Sequence, residues 1–418
     1  MKIKEYIDKI CKEAKAASRV LAKTKTETKN NALKIMAEAV RKNASSIMSA
    51  NEKDIKIAKK INKSQAFIDR LAINKKRIES MAVCIEKVSE LPDPCEEIIK
   101  MYKRPNGLKI GKMRVPIGVI GIIYEARPNV TSDCACLCLK SGNAVILKGG
   151  KESINSNSAI YNILKESLKR AKLPTGCIHL IESTERKATT YLLKMDKYLD
   201  LIIPRGGEAL IKAVAENSTI PVIKHYKGIC HVYVDKTADL NKAYDICFNA
   251  KVQRPGVCNA MEVMLVDENI ASSFLPEMLR RFKEAKVEIR GCNRTRQLAK
   301  GIKKAAKKDY STEFLGLILA VKVVSGLDEA IEHINTFGTG HSDAIVAESY
   351  ERVLRFLKEV DSACVYANAS TRFTDGYEFG MGAEIGISTD KIHARGPMAL
   401  EELTTYKYIV FGSGQVRK

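Results

Sequence analysis

The chain has 418 residues, of which 45% are hydrophobic, and 70 Lys and Arg against 49 Asp and Glu give a formal net charge of +21. Because single cores stop growing near about 250–300 residues, two or three domains are expected. The N-terminus opens an amphipathic pattern, and no uncharged apolar run reaches the roughly 18 residues of a membrane span. These features exclude a helical membrane protein and predict a cytoplasmic one.

The basic residues are spread along the whole chain, with one local concentration between residues 280 and 308. A charge of this size permits nucleic-acid binding. The sequence has no zinc-finger spacing and no aromatic-basic ribonucleoprotein pattern. We therefore expect a solvated, lysine-rich surface that steers small anions, with no nucleic-acid partner.

The 12 cysteines form no CxxC pair, and Cys134, Cys136 and Cys138 lie in one apolar run. This pattern is typical of reduced, buried thiols and not of a disulfide framework. Because no histidine lies near that run, the sequence predicts no metal site.

Residues 1 to about 90 read as helices, since apolar residues recur at three- and four-residue intervals from Ile3 to Leu21 and again from Leu33 to Val40. Residues 51–54, Asn-Glu-Lys-Asp, are expected to cap a further helix. The stretch 91–94, Leu-Pro-Asp-Pro, is expected to end the helical series.

Two extended segments, residues 100–103 and 109–115, flank the turn sequence Arg-Pro-Asn-Gly at 104–107. Asn-Gly is the strongest short hairpin signal, so an antiparallel pair is predicted here. Such a hairpin serves either as an oligomerisation arm or as an ordinary surface hairpin.

From residue 115 onward, strand-like and helical segments alternate, which predicts a parallel sheet wrapped by helices. The expected strands are 117–124, 143–148, 178–181 and 201–204, and the expected helices are 130–140 and 153–171. The glycine-rich turns at 149–151 and 205–208 lead into helices, where free N–H groups bind phosphate. Because GxGxxG is missing, they give only a weak dinucleotide signal.

The most informative stretch is 249–260, in which Cys258 follows a Pro255-Gly256 turn and precedes a strand-like run at 261–266. The glycine offers backbone angles closed to other residues, and Lys251 and Arg254 bring positive charge that favours a thiolate. This arrangement indicates a nucleophile; a buried, inert cysteine is the alternative.

Seven stretches together resemble the gamma-glutamyl phosphate reductase family, within the aldehyde dehydrogenase superfamily. They are GVIGIIYEARPNV at 118–130, IPRGG at 203–207, QRPGVCN at 253–259, HSDAI at 341–345, NASTRFTDG at 368–376, GAEIGIST at 382–389 and HARGP at 393–397. The resemblance covers essentially the whole chain and implies an α/β fold with a Rossmann-type nucleotide-binding domain, an α/β catalytic domain and a small β oligomerisation element. The implied ranges are 1–99 and 116–236 for NADPH binding, 237–385 for catalysis, and 100–115 with 386–418 for oligomerisation.

The implied reaction is the NADPH-dependent reduction of L-glutamyl 5-phosphate to L-glutamate 5-semialdehyde with release of phosphate, the second step from glutamate toward proline. The resemblance makes Cys258 the nucleophile that forms a thioester and Asn129 an oxyanion donor; a helix N-cap is the other interpretation of Asn129. A hydrolytic aldehyde dehydrogenase is the near alternative. A basic nucleic-acid-binding or purely structural protein is the distant one.

The resemblance also implies the binding residues. Those for NADPH are Lys148, Gly149, Arg205, Gly206, Gly207 and Glu313; those for the substrate phosphate and carboxylate are Arg254, Asn368, Ser370 and Arg372. His341 and Asp343 are expected to belong to a structural hydrogen-bond network. The implied partners are the small-molecule substrate, glutamate 5-kinase and further copies of the chain, with no membrane.

Two features depart from the expected pattern. Phe337 stands where the family has His or Tyr, which is expected to remove a hydrogen bond. The stretch 224–228, Lys-His-Tyr-Lys-Gly, lacks the carboxylate with which hydrolytic relatives activate water. The nearest acids in sequence are Glu216 and Asp235, so phosphate and not water is expected to resolve the thioester.

Overall fold

The computed structural model describes residues 2–417 and divides them into two compact units. The first unit contains the chain up to Lys224, Gly380–Gly386 and the residues from Met398 onward; the second contains His225–Phe379 and Ile387–Pro397. This division falls after residue 224, whereas the predicted nucleotide-binding domain ends at residue 236.

The first unit begins with five helices, which confirms the predicted helical segment. They are α1 (Ile3–Leu21), α2 (Thr26–Lys42), α3 (Ala44–Lys60), α4 (Gln65–Leu71) and α5 (Lys75–Glu90). The apolar positions of α1 are its buried face, as the spacing predicts. Helix α5 ends directly before Leu91-Pro92, where proline removes the next hydrogen-bond donor.

The predicted cap at residues 51–54 is wrong, because these residues lie inside α3. The Asn51 side chain is buried, donates to the Leu71 carbonyl at 2.8 Å and accepts the Ile73 N–H at 2.7 Å. Asp54 is buried as well and accepts the backbone N–H of Ser156 at 2.8 Å. Asn51 and Asp54 therefore form hydrogen bonds with distant segments of the unit. These tertiary contacts, and not a helix cap, explain why polar residues occur here.

An alternation of strands and helices follows. Its members are β1 (Ile98–Lys103), β2 (Lys109–Pro116), β3 (Val119–Tyr124), α6 (Asn129–Lys140), β4 (Ala144–Gly149), α7 (Ile154–Arg170), β5 (Ile178–Leu180), α8 (Arg186–Leu192), β6 (Leu201–Arg205) and α9 (Glu208–Asn217). Strands β3 to β6 form a parallel sheet in the order β5-β4-β3-β6. Every residue of β3 and β4 is buried, as expected for apolar strands covered on both faces. The predicted parallel sheet is confirmed.

The second unit contains β7 (Cys230–Val234), α10 (Leu240–Val252), β8 (Met261–Asp267), α11 (Glu268–Glu284), β9 (Glu288–Gly291), α12 (Asn293–Leu298), β10 (Lys303–Lys304), β11 (Ile318–Val324), α13 (Leu327–Phe337), β12 (Ser342–Val346), α14 (Tyr350–Glu359) and β13 (Cys364–Ala367). Its seven strands form a sheet in the order β10-β9-β11-β8-β7-β12-β13, and each pair is parallel. Loops that enter β8, β7 and β12 therefore arrive side by side at one edge.

Three short strands complete the chain: β14 (Gly386–Ser388), β15 (Gly396–Met398) and β16 (Thr404–Phe411). Strands β14 and β15 pair with each other, and β16 pairs antiparallel with β2 in a three-stranded sheet of order β1-β2-β16. The predicted hairpin of β1 and β2 is confirmed, and Gly107 in its turn has a φ of 89°, which glycine adopts without strain. Short 3-10 turns occur at Lys151–Ser153, Thr175–Cys177, Lys307–Ser311 and Thr371–Phe373.

The structure confirms the prediction of free cysteines and corrects the prediction of a fully solvated set of lysines. All 12 cysteines are free thiols, as expected. The lysines are not all solvated, since Lys29, Lys140, Lys148 and Lys251 are buried. Within residues 2–417, no helix is both long enough and apolar enough to cross a membrane.

Candidate active site

Cys258 lies in the loop between α10 and β8, and its side chain is partly buried. The sequence predicts that Gly256 presents the cysteine through backbone angles closed to other residues. The φ of Gly256 lies outside the left-handed region, so that prediction is wrong. Gly228 is the glycine that the loop requires. A Cβ at residue 228 would collide with the carbonyl oxygen of Cys258 and lie 2.7 Å from its Cα. Only glycine lets the chain before β7 pass this close to the nucleophile.

Two histidines flank Cys258. One ligand atom from each of His225, Cys258 and His341 lies within 4.8 Å of the other two. His225 precedes β7, Cys258 precedes β8 and His341 precedes β12, and these strands are neighbours in the parallel sheet. The shared amino-terminal edge of the three strands therefore brings the residues together. The sequence predicts no role for His225, and it predicts a structural hydrogen-bond network for His341.

Hydrogen bonds orient both imidazole rings. Nδ1 of His225 lies 2.7 Å from the carbonyl oxygen of Ile387. A carbonyl only accepts, so Nδ1 carries the proton and Nε2 of the neutral ring carries the lone pair. Nδ1 of His341 lies 2.8 Å from the Ser342 hydroxyl, which contacts the Thr374 hydroxyl at 2.6 Å. His341 is thus held by a chain of hydroxyl groups while it faces the cysteine.

The positive charge near Cys258 comes from arginines and not from Lys251. The Lys251 ammonium is buried and lies 2.6 Å from the buried carboxylate of Glu262, which neutralises it. The sequence expectation for Lys251 is therefore wrong. Burial and the neighbouring Arg254 charge lower the pKa of Arg372, and the Cys258 sulfur opposes this effect. Because the charges of Arg254 and Cys258 both affect Arg372, the three residues lie close together. Two guanidinium groups at this position suit an anionic ligand.

Arg372 also stabilises the cysteine loop, which is the loop between α10 and β8 that carries Cys258. Its guanidinium donates to the side-chain oxygens of Gln253, at 2.9 Å, and Asn259. The Asn259 amide donates to the Thr374 carbonyl at 2.8 Å, so the loop and the segment after β13 are fastened together. The sequence predicts no role for Asn259, although this residue directly follows the cysteine.

Two other predicted substrate residues form hydrogen bonds with backbone atoms. The Asn368 side chain accepts the Ala347 N–H at 2.9 Å and donates to the Ala347 carbonyl at 2.8 Å. The Ser370 hydroxyl accepts the N–H of Arg372 at 3.3 Å and caps a short turn. Both contacts shape the segment that carries Arg372.

Glu313, predicted to bind NADPH, accepts the backbone N–H of Gly228 at 2.9 Å. Glu262 accepts the N–H of Leu315 at 3.1 Å. Burial raises the pKa of Glu262 to about 7, and Lys251 opposes the rise. These two carboxylates tie the loop before β11 to the loops around Cys258.

In the first unit, Asn129 begins α6, and its amide donates to the Asp133 carboxylate at 2.9 Å. Burial raises the pKa of Asp133 to about 6, while the hydrogen bonds from Asn129 and Ser132 and the charge of Arg205 act against this rise. The structure thus brings two predicted residues, Asn129 and Arg205, to the same carboxylate.

The remaining predicted cofactor residues lie at the carboxyl ends of β4 and β6. The buried Lys148 amine donates to the Gly149 carbonyl at 3.0 Å, and burial lowers the pKa of Lys148. A Cβ at Gly149 or Gly206 would collide with neighbouring side chains. The Gly207 N–H, which directly precedes α9, donates to the Glu125 carboxylate at 3.0 Å. A negatively charged oxygen therefore already occupies this turn, and Glu125 is a residue that sequence reasoning missed.

The chain matches the sequence model of the aldehyde dehydrogenase family over residues 2–308 and 298–409. It is 56% identical to the gamma-glutamyl phosphate reductase of Thermodesulfovibrio yellowstonii over 418 residues, covering 100% of both chains. It is 58% identical over 407 residues to that of Thermoanaerobacter pseudethanolicus, covering 97% of this chain and 98% of the relative. The chain belongs to the gamma-glutamyl phosphate reductase family.

The crystal structure of the family member from Thermotoga maritima is 46% identical and superposes with a TM-score of 0.97, covering 99% of this chain and 100% of that one. The fold class and the family expected from the sequence are both confirmed.

Two further expectations for this reductase-family chain concern Asp343 and Phe337. Asp343 accepts from His231 Nδ1 at 2.8 Å, from the His231 N–H at 2.7 Å and from the Ser362 hydroxyl, so the predicted structural network is confirmed for this residue. Phe337 packs against His333, with ring centroids 4.6 Å apart. The buried Nε2 of His333 has no hydrogen-bond partner among the described residues. The loss of a hydrogen bond through Phe337 stays a prediction.

Proposed function

We propose that the protein catalyses the NADPH-dependent reduction of L-glutamyl 5-phosphate to L-glutamate 5-semialdehyde with release of phosphate. This is the second step from glutamate toward proline. The observation that carries the proposal is the partly exposed Cys258 between two imidazoles and beside Arg372, in a chain with full-length similarity to proteins named for this activity.

The chain supplies each group that acyl transfer needs. The Cys258 sulfur attacks the acyl phosphate carbonyl, the C–O bond to phosphate breaks, and a thioester remains. The lone pair on Nε2 of His225 accepts the thiol proton when Cys258 forms its thiolate. Arg254 and Arg372 hold the phosphate and the substrate carboxylate. NADPH, when bound, supplies the hydride that converts the thioester to the aldehyde.

An oxyanion develops when the sulfur attacks and needs fixed donors. We assign this role to the Cys258 backbone N–H and to the Asn129 amide. The Asn129 amide donates to Asp133 in the structure, yet its Nδ2 carries two N–H bonds and can serve a second acceptor.

Several residues would hold NADPH, and one contact in the structure supports this assignment. The Glu125 carboxylate oxygen on the Gly207 N–H stands in for a phosphate oxygen at the start of a helix. We assign the pyrophosphate to this turn. The full set of proposed cofactor residues is Lys148, Gly149, Arg205, Gly206, Gly207 and Glu313.

The test is the variant Cys258→Ala, assayed beside Cys84→Ser as a control for loss of a thiol far from the site in sequence. The proposal predicts that Cys258→Ala abolishes reduction of glutamyl 5-phosphate and keeps NADPH binding and the circular dichroism spectrum. Comparable turnover in Cys258→Ala would refute the assignment of the nucleophile.

A hydrolytic aldehyde dehydrogenase is the second candidate, because His225 offers a base beside Cys258 that sequence reasoning overlooked. An imidazole with a free lone pair activates water in other enzymes. The dependence of the reaction on phosphate separates the two candidates.

The proposal also covers the partners of the protein and its location. The protein forms a homo-oligomer through the β1-β2-β16 sheet, whose edge strands expose Met101, Tyr408 and Phe411. A glutamate 5-kinase supplies the acyl phosphate. The protein works in the cytoplasm and takes no nucleic acid as a partner.

A further inference from the structure

The three residues around the nucleophile have the composition of a metal site. His225, Cys258 and His341 each present one ligand atom within 4.8 Å of the other two. Imidazole nitrogen and thiolate sulfur are the ligands that Zn²⁺ prefers. We propose that this trio binds one Zn²⁺ ion, which coordinates the Cys258 sulfur and thereby blocks the nucleophile reversibly.

The spacing suits tetrahedral coordination after small movements. With bonds of about 2.0–2.3 Å, a tetrahedral Zn²⁺ holds its ligand atoms roughly 3.3–3.8 Å apart, so shifts of about 1 Å suffice. Three protein ligands leave a fourth position for water, as in zinc sites that exchange ligands. All three residues lie in loops that enter neighbouring strands, so the spacing is set by the sheet.

The hydrogen bonds around the trio hold the histidine rings as the partners of zinc-bound histidines do. Metal-bound histidines commonly donate their other N–H to a carbonyl, carboxylate or water, which fixes the ring. His225 does this through Nδ1 to the Ile387 carbonyl at 2.7 Å. Coordination of His341 through Nε2 would keep its 2.8 Å contact with the Ser342 hydroxyl. Both rings are therefore oriented before any metal arrives.

Metal binding stands on this geometry alone, and only its inhibitory consequence rests on the proposed function. The full chain, freed of metal and of any histidine tag, is titrated with ZnCl₂ by calorimetry and with Co²⁺ by absorption spectroscopy. The expected result is one ion per chain, with a sulfur-to-cobalt charge-transfer band. Cys258→Ser is expected to lose the band, and His341→Gln to weaken Zn²⁺ binding at least about tenfold.

The matched controls are Cys95→Ser and His393→Gln, which alter the same residue types in other segments and should bind as the unmodified chain does. Zn²⁺ should also slow alkylation of Cys258 by iodoacetamide, measured by mass spectrometry, and a chelator should restore the rate. This readout works even on a chain that lacks reductase activity. Equal Zn²⁺ affinity in Cys258→Ser, or the absence of saturable binding, would overturn the inference.

Discussion

The buried ion pair at the base of the cysteine loop offers a direct test of how the site is held. Lys251 lies at the end of α10, Glu262 lies in β8, and Cys258 lies between them in sequence. Their charged atoms are 2.6 Å apart, and both side chains are fully buried. Removing one partner leaves the other charge buried without compensation, which costs about 3–5 kcal/mol.

The perturbation is Glu262→Gln, which keeps the shape and an oxygen for the Leu315 N–H. Lys251 and Glu262 both lie in the second unit. For a unit of this size the midpoint of thermal unfolding falls by about 2–4 °C per kcal/mol, so the unfolding transition of this unit is expected to move down by about 10 °C. Lys251→Met should have a similar effect. The double variant Lys251→Met/Glu262→Gln should be less destabilised than the sum of the single variants, because no charge remains unpaired.

Differential scanning calorimetry of the four proteins measures these shifts. The exposed pair of Lys242 and Glu348, whose charged atoms are 2.9 Å apart, provides the control, and Glu348→Gln should unfold at the same temperature as the unmodified chain. A midpoint for Glu262→Gln within about 1 °C of the unmodified chain would refute the reasoning.

Two further predictions concern charge. Arg254→Met should lower kcat/KM for glutamyl 5-phosphate about 10- to 100-fold through KM, since a charged hydrogen bond contributes about 1.5–3 kcal/mol; an unchanged KM in steady-state assays would contradict its role. Burial raises the pKa of Asp133 from 3.8 to about 6, so its contribution to stability is present below pH 3.8 and is lost as the pH rises through 6. Asp133→Asn should therefore gain about 3 kcal/mol on the unmodified chain by pH 8, measured by urea unfolding at several pH values; a gap independent of pH would contradict this.

Local signals in the sequence were sufficient for much of the fold. The Asn106-Gly107 turn predicts the hairpin of β1 and β2, and apolar spacing predicts the buried face of α1. The prediction failed at residues 51–54, where polar side chains inside α3 serve distant segments. A capping pattern and a buried polar contact look alike when only neighbouring residues are known.

The candidate site was likewise predicted only in part, because some of its residues depend on contacts between distant segments. Cys258 stands out because a Pro-Gly turn and a strand surround it. His225 and His341 do not, because their approach to Cys258 depends on the order β8-β7-β12, which the sequence does not state. The same holds for Gly228, whose requirement arises from contact with Cys258, and for Lys251, whose charge is cancelled by a partner 11 residues away.

The loop before β7 matters most for the central claim, that Cys258 forms a thioester which phosphate and not water resolves. Its stretch 224–228 carries His225 and no carboxylate. The two nearest acids in sequence are Glu216, which is exposed on α9, and Asp235, whose carboxylate is held by Arg352 at 2.7 Å. Neither of these two acids is placed as the base of a hydrolytic enzyme, so His225 is the candidate base that the stretch 224–228 itself supplies.

The decisive measurement is the oxidation of glutamate 5-semialdehyde by NADP⁺ with and without phosphate. The proposed function predicts that NADPH forms only when phosphate or arsenate is present, because the Cys258 thioester then has an acceptor that Arg254 and Arg372 can hold. NADPH production at an undiminished rate without phosphate, with free glutamate as the product, would show that water resolves the thioester and would contradict the account.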